Sequence, residues 1–154
     1  MAQETQGKGQ EKGKEIETIL APYGAFITYV PLRTEVPFLD YLSLPSHAVT
    51  YEIAPRAALD PLEEARNALT GVKDAKTAIL IPGRRFDASG TRHGQGGGWY
   101  DRFLAEVPRE WLRVGFCYEH QFSTTPLTRE SWDQAMDVMC VVGKDGLAVY
   151  DARI

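Results

Sequence analysis

Four short runs of apolar residues stand out along the chain, at 25–30 (AFITYV), 77–81 (TAILI), 113–118 (RVGFCY) and 138–142 (VMCVV). Runs of this length, rich in β-branched and aromatic residues and too short for helices, predict strands buried on both faces. Pro31 closes the first run, and Pro82 with Gly83 closes the second. Residues 47–53 (HAVTYEI) alternate, which predicts a further strand ended by Pro55.

Between these runs the period changes. Asp60 can cap a helix, Pro61 suits its first position, and Glu63 completes the capping-box spacing. Leu62, Ala65, Ala68 and Leu69 share one face of that helix, and Gly71 is its predicted stop. Residues 99–107 (WYDRFLAEV) predict a second helix, stopped by Pro108. Lys144, Asp145 and Gly146 read as a hairpin turn into a last strand at 147–150. Strand, helix, strand, glycine-rich loop, helix, strand is the order of an α/β sandwich with a mainly parallel sheet.

Residues 1–15 carry no apolar residue after Ala2. Such a stretch buries too little surface to offset its ordering entropy, so it reads as a mobile polar tail. It is either a solvated leader or a basic arm that touches a ligand. Residues 16–154 then form a single domain.

Composition narrows the function classes. The chain has 154 residues, 44% hydrophobic and 25% charged, which fits an ordinary globular domain and excludes collagen-like and wholly disordered chains. A net charge of −4 supplies no field for long nucleic acid, although a local basic patch can still hold phosphate. Cys117 and Cys140 sit singly in apolar runs without metal-ligand spacing, as small buried hydrophobes of a reducing compartment do. No apolar stretch reaches the length of about 18 residues that a membrane span needs. These features predict a cytoplasmic protein with neither a membrane nor a nucleic-acid partner.

The segment after the 77–81 strand carries the chemistry. Gly94, Gly96, Gly97 and Gly98 remove Cβ atoms from a short span, so the backbone can approach an anion closely. The following helix points its unpaired N–H groups at the same place, and Arg92 and Arg102 add charge. The stretch is either a phosphate cradle or a flexible glycine-rich surface loop, and it lacks the P-loop Lys-Ser or Lys-Thr. Asp101, just inside the helix start, either caps the helix or holds a magnesium ion that bridges phosphates.

Taken together, Ile79-Leu80-Ile81-Pro82-Gly83, Phe86-Asp87, Gly90, Arg92, Gly94-Gln95-Gly96-Gly97-Gly98 and Tyr100-Asp101-Arg102-Phe103-Leu104 resemble the 5-formyltetrahydrofolate cyclo-ligase (methenyltetrahydrofolate synthetase) family. Downstream, Val114-Gly115-Phe116-Cys117-Tyr118 with Gln121, then Leu127-Thr128-Arg129-Glu130-Ser131-Trp132-Asp133 and Met136-Asp137, fall where that family's later motifs would. The resemblance covers roughly residues 77–142.

It implies a three-layer α/β sandwich of the sugar-phosphate isomerase and CoA-transferase type, Rossmann-like, using ATP as co-substrate and Mg2+. The implied reaction converts 5-formyltetrahydrofolate to 5,10-methenyltetrahydrofolate. By position, Arg92, His93, Gly94, Gln95, Gly96, Gly97, Gly98, Trp99 and Tyr100 would wrap the ATP phosphates. Asp101 and Asp133 would be magnesium ligands, and Trp99 and Tyr100 would border phosphate and pterin. Glu35, in a turn after the first strand, would contact the reacting end of the pterin, with Glu35 and Tyr100 as the catalytic pair; a solvated turn glutamate is the alternative.

The chain also departs from the family. Gln95 stands where the family's loop arginine would be, and His93 where its leucine would be. His93 either replaces a lost cation or is a polar surface residue. Thr128 replaces a proline and Trp132 a histidine. No Lys-x-x-Leu-Arg-like element precedes Ile16, so a second chain is one possible source of the missing N-terminal helix. The loss of two phosphate-clamping cations leaves a second reading open, that of a non-catalytic folate- or nucleotide-binding relative.

Overall fold

The apolar runs become the middle of one sheet. A computed structural model of the chain describes residues 3–6, 14–53, 60–94 and 98–153. Strands β1 (Gln3–Gln6), β2 (Ala25–Tyr29), β3 (Val49–Ile53), β4 (Thr77–Pro82), β7 (Leu112–Tyr118), β9 (Val138–Gly143) and β10 (Gly146–Asp151) build a seven-stranded sheet. Its order is β1-β10-β9-β7-β4-β2-β3. The pairs from β3 through β9 are parallel, and β10 and β1 add an antiparallel edge.

Helices cover both faces, because successive residues of a buried strand point opposite ways. Ile27, Ile79, Ile81, Met139 and Val141 pack under α2 (Pro61–Val72) and α3 (Trp99–Glu106). Phe26, Leu80, Val114, Phe116 and Cys140 pack on the other face against Ile16 and Leu20 of α1 (Lys14–Leu20). This is the α/β sandwich with a mainly parallel sheet expected from the sequence. Among the described residues no helix is long and apolar enough to cross a membrane.

Three local expectations need correction. Gln3–Gln6 lie within the stretch read as a mobile tail, yet they form β1, with Gln3 opposite Asp151 and Gln6 opposite Ala148. An edge strand is held by backbone hydrogen bonds, so polar residues suffice. Residues 7–13 of that stretch lie outside the described residues. Gly71 does not stop α2: the helix runs to Val72, and Lys73 (φ 50°) is its cap. The ring of Tyr51 lies 3.2 Å from where a Cβ on Gly71 would sit, so close packing is what that glycine serves. The buried stripe of α2 is Pro61, Ala65, Ala68 and Val72, while Leu62 is exposed. Asp60 caps as expected, accepting from Leu62 N at 3.2 Å.

A small second sheet stands beside the main one, ordered β6 (Arg92–His93), β5 (Arg85–Asp87), β8 (Phe122–Ser123). Phe86 of β5 is fully buried and anchors it to the main sheet. A Cβ on Gly115 of β7 would lie 2.4 Å from that ring, so only glycine admits it.

Chain order sets the place for a ligand. From β2 the chain moves outward to edge strand β3, then returns to β4 on the other side of β2. Such a reversal leaves a crevice at the carboxyl ends of the two central strands. The loops after β2 and β4 carry Glu35 and Arg92.

Candidate active site

Tyr29, the last residue of β2, donates its hydroxyl to Val36 O at 2.6 Å and so pins the turn that follows. Within that turn Glu35 N bonds Leu32 O, and Glu35 Oε1 accepts from Leu32 N at 2.9 Å. The Glu35 carboxylate is therefore held in place and largely buried. Burial raises its pKa above the ordinary glutamate value, while the Leu32 N–H and Arg92 pull it down and only partly offset that.

Arg92 enters from β6. Its Nε donates to Pro82 O, the end of β4, at 2.7 Å, and its guanidinium carbon lies 4.9 Å from the Tyr100 ring centroid. A Cβ on Gly94 would stand 2.9 Å from one guanidinium nitrogen, so the glycine leaves room for the cation. Burial weakens the hold of Arg92 on its proton, and Tyr100, Asp101, Glu35 and Asp133 act in the opposite sense. Arg92 is thus the cation around which these four residues gather. Burial likewise raises the pKa of the Tyr100 phenol, against the pull of Arg92.

Asp101 bonds outside its own helix. The helix cap at Gly98 (φ 66°) carries no side-chain bond, and Asp101 Oδ1 instead accepts from Gln134 N at 3.0 Å. Asp133, next to Gln134 in the chain, lies near enough to Asp101 for its charge to be felt there. Asp133 Oδ2 accepts from Glu130 N at 2.8 Å. Burial raises the pKa of the Asp101 carboxyl; Gln134 and Arg92 lower it, and the like charge of Asp133 raises it further. Two adjacent carboxylates of this kind call for a shared proton or a cation. No cluster of three or more metal-ligating side chains exists among the described residues. Magnesium is usually held by one or two carboxylates together with substrate phosphates and water, so this pair is the candidate position for it.

Other expected residues fall elsewhere. His93 pairs with Arg85 across β5 and β6, on the opposite face from Arg92 and Phe86. Its Nε2 bonds Thr128 O at 2.7 Å, so the side chain ties down the 127–129 segment and does not join the Arg92 cluster. Trp99 stacks on Phe103 (5.4 Å, 13°) and meets the Tyr100 ring edge-on. Gln95, Gly96 and Gly97 lie outside the described residues. Trp132 is 64% exposed beside Asp133, so it is no packing residue.

Residue-by-residue reading missed the role of Asp87. Its Oδ1 accepts from Ser89 N, Ser89 Oγ and Thr91 N, and its Oδ2 from Leu127 N at 2.8 Å. Burial alone would raise its pKa; the bonds from Leu127, Ser89 and Thr91 win and hold the carboxyl below the ordinary aspartate value. Arg129 adds bonds to Thr91 Oγ1 and Ser89 O. The available signal was the Phe86-Asp87 pair in the quoted motif, with Ser89 and Thr91 at turn spacing.

Buried Arg92, buried Glu35 and the carboxylates of Asp101 and Asp133 belong to an α/β protein whose central parallel strands end beside them, an arrangement suited to an anionic ligand. The chain belongs to the 5-formyltetrahydrofolate cyclo-ligase family, which it matches over residues 17–142. It is 26% identical over 120 residues to the 5-formyltetrahydrofolate cyclo-ligase of Mycoplasma genitalium, covering 75% of this chain and 70% of that protein. The Mycoplasma pneumoniae cyclo-ligase is also 26% identical, over 119 residues, 72% of this chain and 68% of that protein. In fold the chain is similar to a 5,10-methenyltetrahydrofolate synthetase from Mycoplasma pneumoniae, with a TM-score of 0.57 at 18% identity over 84% of this chain and 82% of that one. Family and relatives are ligases, in line with the enzyme reading of the sequence.

Proposed function

We propose that the protein converts 5-formyltetrahydrofolate to 5,10-methenyltetrahydrofolate with consumption of ATP and with Mg2+ at Asp101 and Asp133. The observation that carries this reading is the buried guanidinium of Arg92 over the Tyr100 ring, on which Glu35, Asp101 and Asp133 also act. The names of the two curated relatives support the substrate.

In the proposed reaction the formyl oxygen takes the γ-phosphoryl group and ADP leaves. N10 then attacks the formyl carbon, the C–O bond breaks, phosphate departs, and the N10 proton is released. Bound magnesium would spread charge from the transferring phosphoryl group. Arg92 stabilises the anionic oxygens that develop beside it, in a site from which burial excludes most water. Glu35, its pKa raised by burial, is suited to accept the N10 proton. Tyr100 and Pro82 O hold the guanidinium plane, so it need not reorganise during the reaction.

Calorimetric titration of Mg-ATP and of 5-formyltetrahydrofolate, alone and together, followed by the absorbance of the methenyl product, tests the reading. Binding of both with product formation supports it. Folate binding without nucleotide binding or turnover overturns it in favour of the non-catalytic relative, the reading that Gln95 favours. Gln95→Arg restores a cation at the triphosphate and is expected to tighten ATP binding by about tenfold, the scale of one charge-assisted bond. Unchanged affinity would mean that this loop is shaped for another ligand.

A further inference from the structure

Arg113, the second residue of β7, is only 2% exposed, yet it sits among apolar strands. Its guanidinium joins two separate pieces of the chain. One nitrogen donates to Gln134 Oε1 at 2.8 Å, and the other reaches Leu104 O in α3 at 3.3 Å. Gln134 in turn donates its backbone N–H to Asp101 Oδ1. The Arg113 backbone closes the far end of the same segment: its N–H donates to Asp137 Oδ2 and its carbonyl accepts from Asp137 N.

These bonds hold the two carriers of the carboxylate pair. Asp101 rides on α3, which Arg113 grips at Leu104. Asp133 rides on the segment that Arg113 grips at Gln134 and Asp137. Arg113 Nε has no hydrogen-bond partner among the described residues. A buried orphan donor is costly, and an apolar side chain of similar volume would avoid that cost. Stability alone therefore does not account for an arginine here.

We propose that Arg113 is a positioning residue that sets the spacing of Asp101 and Asp133, and with it the affinity of that pair for a divalent cation. The proposal rests on reading the pair as the magnesium site. Arg113 does not touch the cation or the substrate; it acts through Gln134 and through α3. The planar fork bonds two acceptors at once, which a lysine ammonium on a flexible stem does less well.

The test measures binding of Mn2+ together with ADP to the full chain by electron paramagnetic resonance, in the parent protein and in Arg113→Met, Arg113→Lys and Asp101→Asn. Binding of 5-formyltetrahydrofolate and thermal melting are followed in parallel. Arg113→Met is expected to weaken Mn2+ at least tenfold, with folate affinity changed less than twofold, and Arg113→Lys to recover part of the loss. Excess metal should restore turnover to both. Gln134→Leu, which breaks the side-chain link and keeps the backbone N–H, is expected to weaken Mn2+ in the same direction and carries the test if Arg113→Met does not fold.

Unchanged Mn2+ affinity in the folded variants, with Asp101→Asn defective, overturns the role of Arg113 and leaves the magnesium reading standing. An Asp101→Asn protein that binds Mn2+ as the parent does overturns both. Equal losses of metal and folate affinity, in step with a fallen melting temperature, reduce Arg113 to a structural residue.

Discussion

The Arg92 guanidinium lies over Tyr100, its carbon 4.9 Å from the ring centroid, while its Nε remains bonded to Pro82 O. One strand end and one helix face therefore hold a cation on which the charges of Glu35, Asp101 and Asp133 act. Planarity matters here as well as charge.

Arg92→Lys keeps the charge and loses the plane. Its kcat/KM for 5-formyltetrahydrofolate is expected to fall by about 100-fold, because an ammonium cannot both stack and hold a bidentate oxyanion. Steady-state kinetics on the purified variant check this. A loss below about threefold would show that charge alone suffices.

Gly94→Ala tests the same cation from the other side. The new methyl would meet the guanidinium at 2.9–3.0 Å and push the far end of a side chain, so the guanidinium is what must move. Turnover is expected to fall by at least tenfold while the melting temperature drops only a few degrees, the size of a 1 kcal/mol change. A fall in stability without loss of turnover would contradict the close approach of Gly94 and Arg92.

Metal binding should weaken on acidification, starting above the ordinary aspartate range. Burial raises the Asp101 pKa, and a protonated carboxyl cannot ligate. Affinity is therefore expected to decline as pH falls towards and through the raised value. The Mn2+ affinity, measured with ADP between pH 5 and 8 on the order of half-unit steps, reads this directly. A profile flat down to the ordinary aspartate value would oppose it.

Asp87 works in the opposite sense. Its native carboxyl is held below the ordinary value, so the unfolded chain takes up its proton first as pH falls. The stability it contributes is complete above the unfolded value of roughly 3.9 and is lost below it, through the native value. Asp87→Asn is expected to cost about 2–4 kcal/mol at neutral pH, since its amide would face the Leu127 N–H donor to donor, and to flatten the acid limb of the stability curve. Urea unfolding at pH 7 and pH 3 measures both effects.

The central strands were legible because a strand buried on both faces leaves an unbroken apolar run, as 77–81 and 138–142 do. The small sheet was not, since strands as short as Arg85–Asp87 and Arg92–His93 show no period. The signals for it were a single phenylalanine between charged residues and a glycine inside the 113–118 run, which marks close approach. At the site, the family resemblance pointed to Arg92, Tyr100, Asp101 and Asp133. It also swept in His93, which the alternation of a β-ribbon turns away. Tyr29 and Arg113 read only as strand residues, because their roles depend on partners seven and 21 positions away.

The Asp87 carboxylate joins its own turn, at the Ser89 and Thr91 amides, to the Leu127 amide forty positions further along the chain. If that anchor releases, all three lose their acceptor together. Their amide protons should then exchange with solvent at one common rate, as a single opening unit. A ligand seated among these loops would slow all three at once, giving a signature of occupancy that requires no turnover.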